Sequence, residues 1–445
     1  MREQIEGTTI GRLTSAALAI FLIAGGLDGA EPRADQPRSS VVGQLVSAEG
    51  SLFQRTKAGQ PWQTVPSKGK LHAGDLLFGL PGAIVETSKG AVRLELLTDM
   101  DKNSPYPIFE AAVRLHDSPN YDLDFTLDRG RVDVTNTKTK GSARVRIRFH
   151  GQMWDATLHE PGARIALELY GRWPKGVRFT PEPGPKDVPA ADLLLLVRKG
   201  NVDVKHDSKQ HALSAPPGPA LLHWDNRDEA EEAPHKLDKL PAWADTEDAS
   251  SERALRIKKV VEEFRREAVK SSLKEALDRF ANSEDPNHRA SGVIFMGAAD
   301  DLEGLAKVLM GTKYPDAWDW AVVVIRHWIG RAPGQDQIVY RMLVNKRKMP
   351  VAQAQSIMQL LHSFDDTVLA QPELYKMLVK FLDHDRMGIR GLAHWHLSRL
   401  VPAGKKIGFN PLDPKEKRDK ARDQWKKLID DMLAKGQLPP KDLPK

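Results

Sequence analysis

The hydrophobic pattern of this chain changes its period partway along the sequence. Between residues 41 and 243, apolar residues occur in short runs that alternate with polar residues and are bounded by glycine and proline. A period of two is typical of half-buried β-strands. After Asp248 the apolar residues follow a helical period, as in the stripe of Leu255, Val261 and Phe264. The sequence therefore predicts a multidomain protein, all-β first and all-α second.

Composition narrows the class of protein. A chain of 445 residues with 40% apolar and 28% charged side chains can form two or more packed domains. Its 66 basic and 60 acidic residues are interspersed, so the net charge of +6 does not indicate a nucleic-acid-binding face. There is no cysteine, which excludes thiol catalysis, zinc–thiolate sites and disulfides.

The N-terminus has the layout of a secretion signal. Arg2 and Arg12 precede an apolar stretch, residues 13–27, that is shorter than the roughly 20 residues of a membrane-spanning helix. We therefore predict a signal peptide over residues 1–30, with an uncleaved membrane anchor as the alternative, followed by a polar linker over residues 31–40. The mature chain would be periplasmic or in the cell envelope, with the inner membrane as its place if the anchor is kept.

Residues 68–96 predict a series of short strands joined by tight turns at Gly74-Asp75, Gly82 and Gly90. A set of glycine, tryptophan, leucine and small residues occurs in a characteristic order: Gly43, Gly50, Trp62, Leu71, Gly74, Asp75, Gly82, Ala83, Val92 and Leu94. This order resembles the FecR-like domain, which implies an extracytoplasmic β domain of the kind found in envelope regulators.

A short motif recurs within the β half. Residues 129–134 (RGRVDV) return as residues 199–204 (KGNVDV), and residues 49–53 (EGSLF) are a weaker copy. In each copy a glycine at a turn or bulge precedes an alternating strand. We predict ten or more strands over residues 41–223, arranged as a β-sandwich or jelly-roll-like fold or as a short β-solenoid.

An acidic, proline-containing stretch over residues 224–248 is predicted to link the halves. A helical domain over residues 249–436 and a tail over residues 437–445 follow. One long amphipathic helix is expected to reach Phe280. The later helices are expected at 286–298, 302–310, 315–329, 336–346, 351–362, 372–383, 386–400 and 414–434.

Two segments of the α half share a form. Residues 282–309 and 382–400 each have an acidic turn, an arginine (Arg289 or Arg390) and a helix with small and apolar residues at helical spacing. They resemble HEAT-like repeats, in which helix pairs stack because no single pair can bury its apolar face. The resemblance implies a protein-interaction surface.

No pattern in the sequence identifies a catalytic, cofactor-binding or metal-binding residue. Asp99 and Asp101 begin like a calcium loop, but the glycine and the distant glutamate of such a loop are missing. His394 and His396 lie two apart on a predicted helix and point in different directions. The tryptophans at 318, 320 and 328 are expected to pack between helices.

These observations favour a non-catalytic binding or scaffold protein of the bacterial envelope. The expected partners are proteins, with an envelope polysaccharide as the alternative, and no nucleic acid or cofactor is expected. Two alternatives stay open: a FecR-type signal transducer without a cytoplasmic tail, and an enzyme acting on envelope glycans through carboxylates that the fold brings together.

Export can be tested directly. A bacterial host that expresses the full chain should yield an envelope or periplasmic protein whose intact mass lacks residues 1–30. Deletion of residues 13–27 should leave the protein in the cytoplasm. A full-length chain in the membrane fraction would favour the anchor, and a full-length chain in the cytoplasm would contradict export.

Overall fold

The computed structural model describes residues 40–438 apart from 58, 100–103, 105, 228–232 and 246–250. Within this part of the chain, strands fill the first half and helices fill the second, which confirms the predicted order of β then α. The predicted signal peptide lies outside the described residues. No helix in the described part is long and apolar enough to cross a membrane.

The described part of the first half contains seventeen strands. In chain order, β1 to β17 are Val41–Leu45, Leu52–Arg55, Gln63–Thr64, Lys70–His72, Leu76–Gly79, Ala83–Thr87, Val92–Leu97, Ala111–His116, Leu123–Asn136, Ala143–Phe149, Gln152–Leu158, Arg164–Arg172, Ala190–Lys199, Asn201–His206, Lys209–Ser214, Gly218–Asp225 and His235–Leu237. The turns predicted at Gly74, Gly82 and Gly90 are confirmed, since all three glycines have positive φ angles between strands. The three glycines of the recurring motif, Gly50, Gly130 and Gly200, share φ angles of 78° to 79°.

The longest strand, β9, connects two ladders of strands and changes its partners at Gly130. Up to this glycine it pairs with β8 and, in the parallel direction, with β10. From it onwards it pairs with β7 and β12. A Cβ at this position would lie 1.7 Å from the carbonyl oxygen of Glu110, so only glycine fits. Both ladders contribute to one apolar core, for example through Leu77 of β5, Val145 of β10 and Leu167 of β12.

Helices make up the second half. In chain order, α1 to α11 are Glu252–Lys270, Leu273–Ala281, Pro286–Ala298, Leu302–Gly311, Pro315–Gly330, Gln335–Arg341, Val351–His362, Asp366–Leu369, Pro372–Phe381, Met387–Leu400 and Lys415–Ala434. A π-helical turn, Met342–Lys346, extends α6, and a 3₁₀ turn, Pro402–Lys406, follows α10. The predicted helices at 286–298 and 351–362 are confirmed to the residue.

The prediction of one long helix up to Phe280 is wrong. The chain breaks after α1, where Ser272 and Glu275 form a capping box that starts α2. Such a reciprocal pair satisfies two backbone N–H groups at a helix start and so favours a new helix over a continuous one. Leu255, which was placed on the buried stripe, is 55% exposed.

The segment interpreted as a linker holds ordered elements. Strand β16 runs to Asp225 and β17 lies further along. Trp243 is buried, and its carbonyl oxygen accepts a hydrogen bond from the buried guanidinium of Arg131. Part of this stretch therefore packs on the β half.

A buried ionic network joins the β half to the α half. Glu110 accepts hydrogen bonds from Arg331 at 2.7 Å and from His327 at 3.2 Å, and it forms an ion pair with Arg129 at 3.3 Å. Asp300, between α3 and α4, contacts Arg331 at 3.0 Å and Arg55 of β2 at 2.5 Å. Burial alone would raise the pKa of Glu110, but the charges of Arg331 and Arg129 lower it to about 2. Both carboxylates therefore stay ionised inside the protein.

The same junction caps the C-terminal end of α3. Its carbonyl oxygens at Gly297 and Ala298 accept hydrogen bonds from Arg331 and Arg129, and the carbonyl of Ala299 accepts one from the Trp62 indole at 2.7 Å. The last carbonyls of an α-helix lack the N–H four residues on that would continue the helix, so donors from elsewhere stabilise the helix end. The network therefore fixes α3 against the β half.

Glycines bring α5 against β12. A Cβ on Gly171 would lie 2.5 Å from the carbonyl oxygen of Gly330, and a Cβ on Gly330 would lie 2.7 Å from the Cα of Arg172. The Trp173 indole donates to the Ile329 carbonyl at 2.9 Å. The C-terminal ends of α3 and α5 thus both rest on the β half.

Removal of one charge from the junction should weaken the whole fold. We expect Glu110→Gln to lower the free energy of unfolding by about 3 kcal/mol or more, because it leaves buried guanidinium groups without their counter-charge. Because the folded pKa of Glu110 is lowered from 4.5, its contribution should be present above that pH and lost as the pH falls toward 2. Chemical denaturation at several pH values measures both effects.

A matched control is Glu303→Gln, which removes an exposed ion pair with Lys346. It should change the free energy of unfolding little, because exposed pairs contribute little to stability. Equal effects of the two substitutions would contradict the role given to the junction.

Candidate functional site

A cleft of about 780 Å³ opens between the two halves of the protein. One wall is formed by residues that precede β8, among them Thr98, Asp99, Ser104, Tyr106 and Phe109, and the other is formed by α1, α3 and α5. The volume falls within the roughly 300–1,000 Å³ of typical small-molecule sites. This cleft is the candidate functional site.

Helices α1, α3 and α5 form the helical wall, and N-terminal caps fix where α1 and α3 begin. Ser251 caps α1 by accepting a hydrogen bond from the Ala254 N–H, and Asp285 caps α3 with Pro286 at its first position. Lining residues then recur every three or four positions, which places them on one face of each helix. They are Arg253, Arg256, Ile257, Val260 and Val261 of α1; Pro286, Asn287, Ala290, Ser291, Ile294 and Phe295 of α3; and Asp316, Trp320 and Val323 of α5.

Polarity changes along this wall in the same sense on each helix. The residues near the helix starts are polar or charged, such as Arg253, Asn287 and Asp316. One or two turns further on, the lining is apolar, for example at Val260 and Ile294. The helical wall of the cleft therefore combines polar and apolar side chains.

A chain of aromatic rings links the β wall of the cleft to α5. Tyr106 stacks on Tyr170 with ring centroids 4.9 Å apart, and Tyr170 stacks on His327 at 5.6 Å. Phe109 meets His327 and Trp320 edge-on, at 5.3 and 6.2 Å. Rings at these distances attract one another, so the chain holds the β wall against α5.

Trp320 departs from the sequence-based expectation. Trp318 and Trp328 are buried between helices as predicted, and their indoles donate to Leu309 and Asp300. Trp320 is only partly buried and lines the cleft. One of the three tryptophans, Trp320, therefore faces the cleft.

A buried carboxyl group lies directly behind the β wall. The Ser104 hydroxyl, which lines the cleft, donates to Glu168 of β12 at 2.7 Å. Burial raises the pKa of Glu168 to about 7, although the Ser104 hydrogen bond and the charge of Arg131 act in the opposite direction. The charges of Asp99 and Asp133 add to the rise. This group changes its charge near neutral pH.

Two carboxylates line the cleft, but each has a partner in the structure. Asp316 accepts hydrogen bonds of 2.9 and 3.2 Å from the Arg289 guanidinium, whose charge also pairs with the carboxylate at 2.9 Å. Asp99 accepts the backbone N–H of Ser104 at 3.0 Å. Arg289 was predicted as a repeat-like residue, and its contact with Asp316 ties α3 to the start of α5.

A second cluster has the composition of a metal site. Ligand atoms of Asp192, His223 and Asp225 lie within 4.8 Å of one another. Arg172 also contacts Asp192, and Arg227 contacts both carboxylates, at 3.5 and 3.1 Å. Two guanidinium groups in this position oppose a cation, so the cluster is better described as an ionic network.

The histidines considered in the sequence do not converge. His396 is buried and bonds the Leu360 carbonyl at 2.7 Å, while His394 packs against Phe409 and Trp425. Burial lowers the pKa of His394 to about 4 and that of His396 to about 3. Both rings serve as neutral packing groups.

Comparisons with family models, with curated proteins and with solved structures give no match to this chain. The resemblances to FecR-like domains and HEAT-like repeats therefore stay predictions from the sequence. The candidate site depends on geometry alone.

Sequence reasoning did not find the cleft. Its β wall contains Asp99, which was weighed only as the start of a calcium loop, and the aromatic Tyr106 and Phe109 next to two prolines. One feature of the sequence could have indicated the cleft. Ala290 and Ser291 are small and lie at helical spacing from apolar residues, and small side chains on an apolar helix face leave room for a ligand.

The unusual pKa of Glu168 gives a test of this region. A raised pKa means that the folded protein binds this proton more tightly than the unfolded chain does. Its stabilising effect is therefore lost as the pH rises from the ordinary value of 4.5 through about 7. We expect Glu168→Gln to flatten the decline in the free energy of unfolding between about pH 5 and about pH 8.

Denaturant titrations across this range give the measurement. Glu262→Gln, on the exposed surface of α1, should keep the wild-type profile. An identical decline in the Glu168→Gln variant would show that Glu168 does not titrate near neutrality.

Proposed function

We propose that this protein is a non-catalytic binding protein of the bacterial cell envelope, with the cleft between its halves as the ligand site. The observation that carries the proposal is the cleft itself: about 780 Å³, with walls from both halves and a lining in which apolar side chains predominate. Apolar concave sites with a few polar groups are typical of small-molecule binding.

The rigidity of the cleft supports binding. Its helical wall is held by the ionic network under α3 and by the glycine contact under α5. A preformed site loses little freedom when a ligand enters, which favours affinity. The proposal also includes the interpretations of the sequence. The protein is exported, and its FecR-like and HEAT-like parts form a scaffold surface. The first half is a β-sandwich or short solenoid, and the second half consists of stacked helix pairs.

A glycan-acting enzyme is the second candidate, because two carboxylates, Asp99 and Asp316, line the same cleft. Against it, Asp316 is already held by Arg289 and Asp99 by Ser104. Hydrolysis of an envelope glycan that is lost in both Asp99→Asn and Asp316→Asn would favour this candidate over the first.

Binding can be measured with the neutral, apolar dye Nile red. The wild-type protein should enhance its fluorescence in a saturable manner with one site per chain. Ala290→Trp places a large ring in the cleft and should weaken binding at least about tenfold, which is about 1.4 kcal/mol. Ala290 lies only partly buried, so the variant should keep the wild-type melting temperature.

Ala352→Trp is the matched control, since Ala352 is exposed at the start of α7 and away from the cleft lining. It should bind the dye as the wild type does. No saturable binding by the wild type, or equal binding by the Ala290→Trp variant, would refute the cleft as the ligand site.

A further inference from the structure

The charged side chains of the cleft are already engaged within the protein. Among the lining residues that the structure describes, two are basic and two are acidic: Arg253, Arg256, Asp99 and Asp316. Arg256 pairs with Glu252 at 3.3 Å, and Asp316 pairs with Arg289 at 2.9 Å. Arg253 and Asp99 also interact with other groups of the protein. The described lining therefore has no net charge that would attract an ion.

A charged ligand would have to give up its hydration in this cleft. Removal of an ion from water is unfavourable unless the site supplies an opposite charge. The apolar side chains that predominate in the lining, such as Ile257, Ile294 and Val323, supply none. An ionic ligand would therefore have to displace one of the existing partners of the charged side chains. The lining favours a ligand without charge.

One neutral polar group of the helical wall is free to bond a ligand. Ser291 lies in α3 and lines the cleft, and its hydroxyl forms no hydrogen bond with any residue in the described part of the chain. A serine within a helix often donates to the carbonyl four residues back. Ser356 of α7 does so, to the Ala352 carbonyl at 2.9 Å. The Ser291 hydroxyl instead has both its donor and its acceptor available to the cleft.

Apolar side chains lie next to this hydroxyl along α3. Ala290 is adjacent in the sequence, Ile294 and Phe295 lie about one turn further on, and all three line the cleft. A glycan has several hydroxyl groups, and each of them would need a hydrogen-bond partner on burial. A ligand with one hydroxyl or carbonyl group on an apolar body is a better match to this wall.

We propose that the cleft binds an uncharged, largely apolar molecule whose single hydroxyl or carbonyl group forms a hydrogen bond with Ser291. The inference deepens the proposed function and rests on it. It assigns a ligand class to the cleft, and it assigns to Ser291 the selection of ligands within that class.

Displacement of Nile red from the full chain tests the ligand class. The compounds compared share one ring system and differ in one substituent: 2-methylnaphthalene, 2-naphthalenemethanol, 2-naphthoate and 2-naphthylmethylammonium. The uncharged pair should displace the dye at concentrations at least about tenfold lower than the anion and the cation. Displacement by either ion at the concentration that 2-naphthalenemethanol requires would overturn the ligand class.

Ser291→Ala tests the hydrogen bond. With the affinity of each variant for the dye taken into account, it should weaken binding of 2-naphthalenemethanol about threefold or more and leave 2-methylnaphthalene binding unchanged. Ser356→Ala is the matched control, because Ser356 lies on α7 outside the cleft lining, and it should behave as the wild type. Alanine favours helix, so both variants should fold. An unchanged affinity of Ser291→Ala for 2-naphthalenemethanol, or an equal loss for both compounds, would contradict the role given to Ser291.

The outcomes separate the two proposals. Dye binding that is lost in Ala290→Trp, together with displacement that does not depend on charge, would overturn the ligand class and leave the binding function standing. Failure of both uncharged naphthalenes to displace the dye would also overturn the ligand class. If the wild type does not bind the dye, the proposed function itself fails.

Discussion

Two carboxylates and three guanidinium groups are buried together where the strands meet the helices. Burial of charge in a protein interior is unfavourable unless every charge has a partner close by. Glu110 and Arg129 come from the β half, while Asp300 and Arg331 come from the α half. Each carboxylate also pairs with a guanidinium group of the other half, Glu110 with Arg331 and Asp300 with Arg55, so the two halves depend on each other. Their relative placement follows from this requirement.

The cleft is a product of that placement. Arg129 and Arg331 hold the C-terminal end of α3 by its carbonyl oxygens, and Gly171 admits the end of α5. The C-terminal ends of α3 and α5 are thereby fixed. The cleft is the space between these two helices and the residues that precede β8, such as Tyr106 and Phe109. Phe109 contacts His327 near the junction and Trp320 in the cleft, and so connects the two regions.

Local features of the fold could be predicted from the sequence, because their causes are local. Asp285 followed by Pro286 marks the start of α3, and glycines such as Gly82 mark turns whatever the rest of the chain does. The junction could not be predicted in this way. Glu110 and Arg331 are 221 residues apart in the sequence. Nothing in the sequence around either residue distinguishes it from an ordinary charged residue on the surface. The cleft depends on the junction, so it was missed for the same reason.

The change of partners in β9 has a bearing on the order in which the chain can fold. One end of this strand needs β8 and β10, and the other needs β7 and β12, so four neighbours must arrive before the strand is complete. Pairings between distant parts of a chain form slowly, because long loops must close first. A nascent chain therefore exposes open strand edges until Arg172 has emerged.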